Sequence, residues 1–250
     1  MTTTNTTRVQ DIPPLSRAEA MDLAAAEYDR FLDLLRSLTP DEWRRPTECE
    51  GWDVRAMASH PLAEAESHAS LREMSHQMRA YRNAKSGPMI DAMTALQLRD
   101  RADLTPDEIV VRFEDAAPRS VRARRRMPGL VRRMRLKVDP PFEKERWPLS
   151  YLMDVIYTRD TWMHRGDISR ATGRDIVLTP EHDGRIVADL VAEWARRHGQ
   201  LFTLTLTGPA GGTYTAGDSD NHIELDAVEF CRILSGRAQG TGLLTTQVPF

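Results

Sequence analysis

The chain has 250 residues, 40% of them apolar and 28% charged, with a formal net charge of −3. It reads as an ordinary soluble globular protein, with room for one large domain or two modest ones. The balance of charge gives no general attraction to nucleic acid.

The opening "MTTTNTTRVQ" is polar and has no apolar run, so no signal peptide is expected, and residues 1–15 are read as a disordered lead-in. No stretch approaches the roughly 18 apolar residues of a membrane span. Two cysteines, Cys49 and Cys231, lie far apart and imply no disulfide framework, so a reduced cytoplasmic setting is expected.

"SRAE" (16–19) is a capping box, and behind it Met21, Ala24, Tyr28, Phe31 and Leu35 recur at helical spacing. "TPDE" at 39–42 and again at 105–108 repeats the start signal with proline at the first helical position. The first predicts a short turn, the second a helix to about 125. Asp53 predicts the cap of a long helix running to about 83. Pro148 opens another that ends near Gly173, a residue suited to a helix C-terminus. Four long helices are the number of a simple bundle.

Beyond Gly173 the pattern changes. "TPEHDGRIVADLVAEWARRHG" (179–199) predicts a fifth helix with Ile186, Val187, Leu190, Val191 and Trp194 on one side. "LFTLTLTG", "GTYTAG" and "NHIELD" read as short strands. "DAVEFCRILSGR" (226–237) reads as a closing helix. The expected organisation is a lead-in over 1–15, a four-helix bundle over 16–175 and a small α+β domain over 176–250.

Two predicted helices carry charge in an apolar stripe. After Pro148, Leu149, Leu152, Met153, Ile156 and Met163 share one face at 100° per residue, with Asp160 in its centre and His164 at its edge. After Asp53, the series His60, Glu64, Ser67, Leu71, Met74, Met78 has the spacing of a bundle seam. A carboxylate on a core-facing stripe is costly to bury unless it is paired or bound to metal. Facing helices of a bundle are where such side chains converge into metal sites. Imidazole nitrogen and carboxylate oxygen suit zinc, and three ligands with an open position mark a catalytic site. A pair of buried ion pairs explains the same pattern, and periodicity alone does not choose.

These residues also carry a resemblance. "PTECEGWDVRAMASH" (46–60) resembles the Pro-Thr-x-Cys-x-Gly-Trp-x-Val-Arg…His segment of the mycothiol-dependent maleylpyruvate isomerase family. "DVIYTRDTWMHRGDISRATGR" (154–174) resembles that family's second motif, and "AVEFCRILSGRAQGTGLLTTQVPF" its closing segment. The resemblance implies a mainly α protein, a DinB-like four-helix bundle with a small α+β C-terminal domain. It implies a divalent metal, usually zinc, held by His60, Asp160 and His164, with mycothiol as thiol co-substrate. Asp160 stands where the isomerase that names the family has Glu. Pro61, directly after His60, removes an amide N–H and predicts a helix kink at the ligand.

The implied chemistry follows from thiol acidity. A free thiol is mostly protonated at neutral pH, and metal coordination deprotonates it. Addition of the thiolate to a small electrophile gives S-transfer; addition, rotation and elimination give cis–trans isomerisation. Glu64 is a candidate general base, fourth ligand or partner of an arginine. Arg237 is a candidate for gripping a substrate carboxylate. Asp167 is expected to hold an arginine or a backbone amide, Cys49 to be a small buried residue, and Trp52 and Trp162 to be packing anchors. The partners expected are mycothiol and an electrophile, with no nucleic acid and no membrane, in a monomer or small homo-oligomer.

The competing reading is a non-catalytic, anion-binding or regulatory bundle. Residues 119–137, "RSVRARRRMPGLVRRMRLK", hold nine basic residues and no acid. Arginine is the default base here, however, at 31 of 34 basic residues. No aromatic interleaves the run to stack bases. Met127, Leu130, Val131, Met134 and Val138 recur among the arginines and are expected to pack on the bundle.

Overall fold

The computed structural model describes residues 6–83 and 88–250. The chain divides into two compact units, Arg17–Arg174 and a second built from the N-terminal segment up to Ser16 with Asp175–Phe250.

The second unit begins with strand β1 (Thr6–Arg8). The first unit begins with helix α1 (Arg17–Ser37), which buries Met21, Ala24, Tyr28, Phe31 and Leu35, the stripe expected from spacing. "TPDE" at 39–42 folds as a single turn: the Glu42 carboxylate accepts from Thr39 N (2.7 Å) and Thr39 Oγ1 (2.9 Å). Gly51, at φ +79°, then reverses the chain. Asp53 caps α2 (Val54–Ala69) by accepting from Ala56 N at 2.7 Å.

The expected long helix to residue 83 is two helices. Ser70 is extended (φ −141°, ψ 118°) and its side chain caps α3 (Leu71–Arg82) at Glu73 N. The break resets the helical phase. Leu71, Met74 and Met78, expected on the seam, are therefore solvent-facing at 78%, 38% and 41% exposure. Helix α4 (Met89–Arg99), which the sequence pattern did not announce, packs with α3 as a hairpin against α2.

Helix α5 (Pro106–Arg126) starts with a complete capping box between Thr105 and Glu108. It ends close to the expected residue 125, and a short α6 (Gly129–Arg132) and strands β2 (Arg135–Lys137) and β3 (Arg146–Pro148) follow. Leu130 and Met134 do not pack on the bundle; they are 82% and 56% exposed. The chain then enters α7 (Leu149–Tyr151), a π-turn over Leu152–Ile156, and α8 (Tyr157–Thr172). Gly173, at φ +71°, caps α8 in the left-handed conformation that glycine adopts without strain.

Helices α1, α5, α2 and α8 form the bundle, each packed on two of the others in that cyclic order. The core contains Tyr28, Phe31 and Phe113, with Tyr28 edge-on to Phe113 at 5.3 Å. Charged groups are also buried. Arg165 of α8 grips Glu27 of α1 through two hydrogen bonds of 2.7 and 3.1 Å. Arg124 of α5, fully buried, donates to the Met153 carbonyl within the π-turn. Buried charges of this kind are tolerated only when hydrogen-bonded.

In the second unit, α9 (Arg185–His198) buries Ile186, Val187, Leu190, Val191 and Trp194, as the pattern predicts. Strands β4 (Thr203–Thr207), β5 (Gly212–Thr215) and β6 (His222–Asp226) lead to α10 (Ala227–Leu234), capped by Asp226. The sheet order is β1-β5-β4-β6. One expectation is corrected here. Thr6–Arg8, placed in a disordered lead-in, pair in parallel with Thr213–Thr215 as an edge strand. The partner lies some 200 residues away in sequence, where no local pattern announces it. The first five residues of that lead-in lie outside the described residues.

Candidate metal centre

The site is built from one face each of α2 and α8. His60 and Glu64 are one helical turn apart on α2, and Asp160 and His164 one turn apart on α8. Their heads meet. Asp160 Oδ2 lies 3.6 Å from His60 Nε2, and Asp160 Oδ1 lies 3.3 Å from His164 Nε2. One ligand atom each from His60, Asp160 and His164 all fall within 4.8 Å of one another. Glu64 Oε1 is 3.7 Å from His60 Nε2. Glu64 thus pairs with a histidine rather than with an arginine. Helix α2 runs on through Pro61, and His60 keeps its place in the cluster.

Both imidazoles are held from behind. His60 Nδ1 is 2.8 Å from Gln97 Oε1, and His164 Nδ1 is 3.2 Å from Asp167 Oδ2. With each Nδ1 facing an acceptor, each Nε2 presents to the shared centre, the arrangement typical of metal-binding histidines. Asp167 therefore orients His164, rather than serving only an arginine or an amide as expected. Trp52 packs against both rings, at 5.6 Å from His60 and 6.0 Å from His164. The histidine side chains are 10% and 6% exposed and Asp160 19%, so Asp160 marks the side nearest solvent.

The electrostatics are those of charges crowded in a dry place. Burial pushes His60 down against the pull of Asp160. His164 goes the other way. Burial alone lowers it, but the carboxylates of Asp160 and Asp167 outweigh that and hold it up at about 9. Burial, and then the charge of Asp160, drive Glu64 well above the usual carboxylate range. Its Oε2 is buried and accepts no hydrogen bond.

These features fit a divalent cation. Two imidazole nitrogens and a carboxylate converge, and a buried carboxylate oxygen beside them is unsatisfied. A cation relieves the repulsion between Glu64 and Asp160, and the N/N/O donor set suits zinc.

Arg237 belongs to the second unit, half-buried on the turn after α10, and its role rests on the sequence alone. Cys49 is half-buried rather than buried, and its carbonyl closes the Gly51 turn by accepting from Trp52 N at 3.0 Å. Trp162 is core. His76 pairs with Asp100 on the surface. In the basic segment, Arg119 pairs with Asp115, Arg125 with Asp22 and Arg132 with Asp154, while Arg124 is buried.

Sequence reasoning missed Gln97 as a contact of His60. A glutamine in "ALQLRD" carries no motif; only its burial, at 1% exposure, reveals it. Asp167 was legible in principle, three residues after His164 and so on the same helical face.

Comparison with known proteins gives a consistent result. A family model described as the mycothiol maleylpyruvate isomerase N-terminal domain matches residues 24–169. No curated protein matches the chain in sequence. Two solved structures share its fold at 19% identity. The crystal structure of the mycothiol-dependent maleylpyruvate isomerase has a TM-score of 0.57, with 97% of this chain and 98% of that one covered. A histidine-to-alanine mutant of that isomerase has a TM-score of 0.56, with 93% and 92% covered. The family match spans more than half of the 250 residues and includes all of α2, α5 and both helical turns that meet at the cluster, so the chain belongs to the mycothiol maleylpyruvate isomerase family.

Proposed function

We propose that this protein is a metal-dependent enzyme that adds the thiol of mycothiol to a small electrophile, with His60, Asp160 and His164 as the metal ligands. The observation that carries the reading is the convergence of two back-held imidazoles and a carboxylate within 4.8 Å, beside an unsatisfied Glu64 oxygen. A bound divalent ion, zinc by donor type, supplies a position at which a thiol loses its proton at neutral pH.

The chain's own residues do the rest. Gln97 and Asp167 keep the two imidazoles turned with Nε2 toward the centre. Trp52 covers both rings and limits water on that side. Glu64, with its raised affinity for a proton, is the group in place to accept one released inside the site and to return it. No cysteine is in the cluster, so the nucleophilic sulfur comes from the co-substrate. S-transfer and cis–trans isomerisation share the addition step and differ in whether the thiol leaves again. We place the reaction in the cytoplasm, where small thiols stay reduced. The binding-module alternative is less well supported, because three of the eight arginines in 119–137 pair with carboxylates and a fourth, Arg124, is buried.

Two measurements test this. Purified protein should carry about one divalent ion per chain, and His60→Ala or His164→Ala should abolish uptake. Protein that takes up none, even with added zinc, ends the metal reading. The metal-loaded protein should then be incubated with mycothiol and a panel of electrophiles and analysed by mass spectrometry. Thiol adducts indicate S-transfer, and consumption of maleylpyruvate without an adduct indicates isomerisation. No turnover of any electrophile counts against the enzyme.

A further inference from the structure

We infer that a two-glutamine relay on the α3–α4 hairpin, Gln77 to Gln97, fixes His60 as the Nδ1–H tautomer and so makes its Nε2 a ligand rather than a donor. The inference rests on the metal reading of the site and names the residues that prepare one side of it.

The chain of hydrogen bonds starts at an unambiguous acceptor. The Ala63 carbonyl can only accept, and Gln77 Nε2 lies 2.9 Å from it. The second hydrogen of that amide goes to Glu73 Oε1, also at 2.9 Å. Both N–H bonds of Gln77 are therefore committed, and its Oε1 must face the other way. It faces Gln97 Nε2 at 2.8 Å, which donates to it. That turns Gln97 Oε1 toward His60 Nδ1, 2.8 Å away. An amide oxygen cannot donate, so Nδ1 carries the hydrogen. In the neutral ring Nε2 then holds the lone pair, directed at the side where Asp160 and Glu64 lie.

The arrangement is costly to build by accident. Gln77 and Gln97 are 2% and 1% exposed, and burying primary amides is unfavourable unless they are satisfied. Arg101, itself 2% exposed, steadies both ends: it donates to Glu73 Oε1 at 2.9 Å and to the Gln97 carbonyl at 3.1 Å. Left to itself a neutral histidine side chain favours the Nε2–H form, which would point a hydrogen at the centre. The relay reverses that preference. Gln77 and Gln97 are positioning residues: neither reaches the reacting atoms.

Nitrogen-15 NMR on the metal-free, full-length protein reads the tautomer directly, with no metal involved. His60 should appear as Nδ1–H in the native protein and move toward Nε2–H in Gln97→Leu. Zinc affinity, measured against a chromophoric chelator, should fall roughly 10–100-fold in Gln97→Leu. Gln97→Glu, whose carboxylate still accepts from Nδ1–H although its second oxygen loses the donation to Gln77 Oε1, should keep His60 as Nδ1–H. Native His60 found as Nε2–H overturns the relay even if the leucine variant fails to fold. So does a folded Gln97→Leu that binds zinc as tightly as native. Native protein that shows Nδ1–H yet takes up no zinc supports the relay and overturns the metal reading instead.

Discussion

His68 shows how far the polar interior extends beyond the cluster. It lies one turn past Glu64 on α2, its Nδ1 3.2 Å from Ser120 Oγ and its ring edge-on to Tyr157 at 4.4 Å. Its Nε2 is buried and has no hydrogen-bond partner. Burial, reinforced by the charge of Arg124, pushes its pKa down to about 3. The folded state therefore refuses a proton that the unfolded chain takes up below about pH 6.5. Stability from this group is complete above pH 6.5 and is lost as pH falls toward 3. Urea unfolding should show native protein losing about 1–2 kcal/mol more than His68→Leu between pH 7 and pH 5. Parallel pH curves for the two proteins contradict this account of His68.

At the level of the element, the site depends on where α2 starts. Asp53 accepts from Ala56 N at 2.7 Å, seven residues before His60. Asp53→Ala leaves a first-turn amide unsatisfied and should cost about 1 kcal/mol. Thermal unfolding measures that cost directly. Because α2 carries His60 and Glu64, the variant should also bind metal more weakly than native, and unchanged stability would exclude Asp53 as the cap.

The start of α2 was legible because a cap is a local signal. Its end was not. The seam His60, Glu64, Ser67, Leu71, Met74, Met78 keeps a perfect period through Ser70, yet the helix breaks there. "SLRE" (70–73) has the spacing of a capping box, and the apolar spacing masked it. The ligands survived this error because all of them lie before the break or on α8. The stripe on α8 was readable for a related reason: Asp160, His164 and Asp167 all follow the π-turn, within one uninterrupted helix. Gln77 and Gln97 were hidden, since they lie on the hairpin that the wrong helix boundary erased.

At the scale of the whole molecule, the segment before α1 and residues 175–250 form one unit. The sheet closes with β1 on one edge, Thr6, Thr7 and Arg8 opposite Thr213, Tyr214 and Thr215. The turn Val9–Asp11 follows directly and packs on α9, and Arg185 donates to the Pro13 carbonyl at 2.8 Å. A segment whose composition reads as a disordered lead-in thus completes the hydrogen bonding of β5, whose other edge is taken by β4. An unpaired edge exposes a row of backbone groups to water and to other chains. Deleting residues 1–8 should therefore raise amide exchange at Thr213–Thr215 while leaving the amides of α2 and α8 as protected as before. It should also lower the thermal stability of the second unit, and the bare β5 edge should increase aggregation on heating. Hydrogen exchange followed by mass spectrometry separates the two units in one experiment. Protection at β5 that survives the deletion contradicts the strand, and protection lost equally in α2 and α8 contradicts its confinement to the second unit.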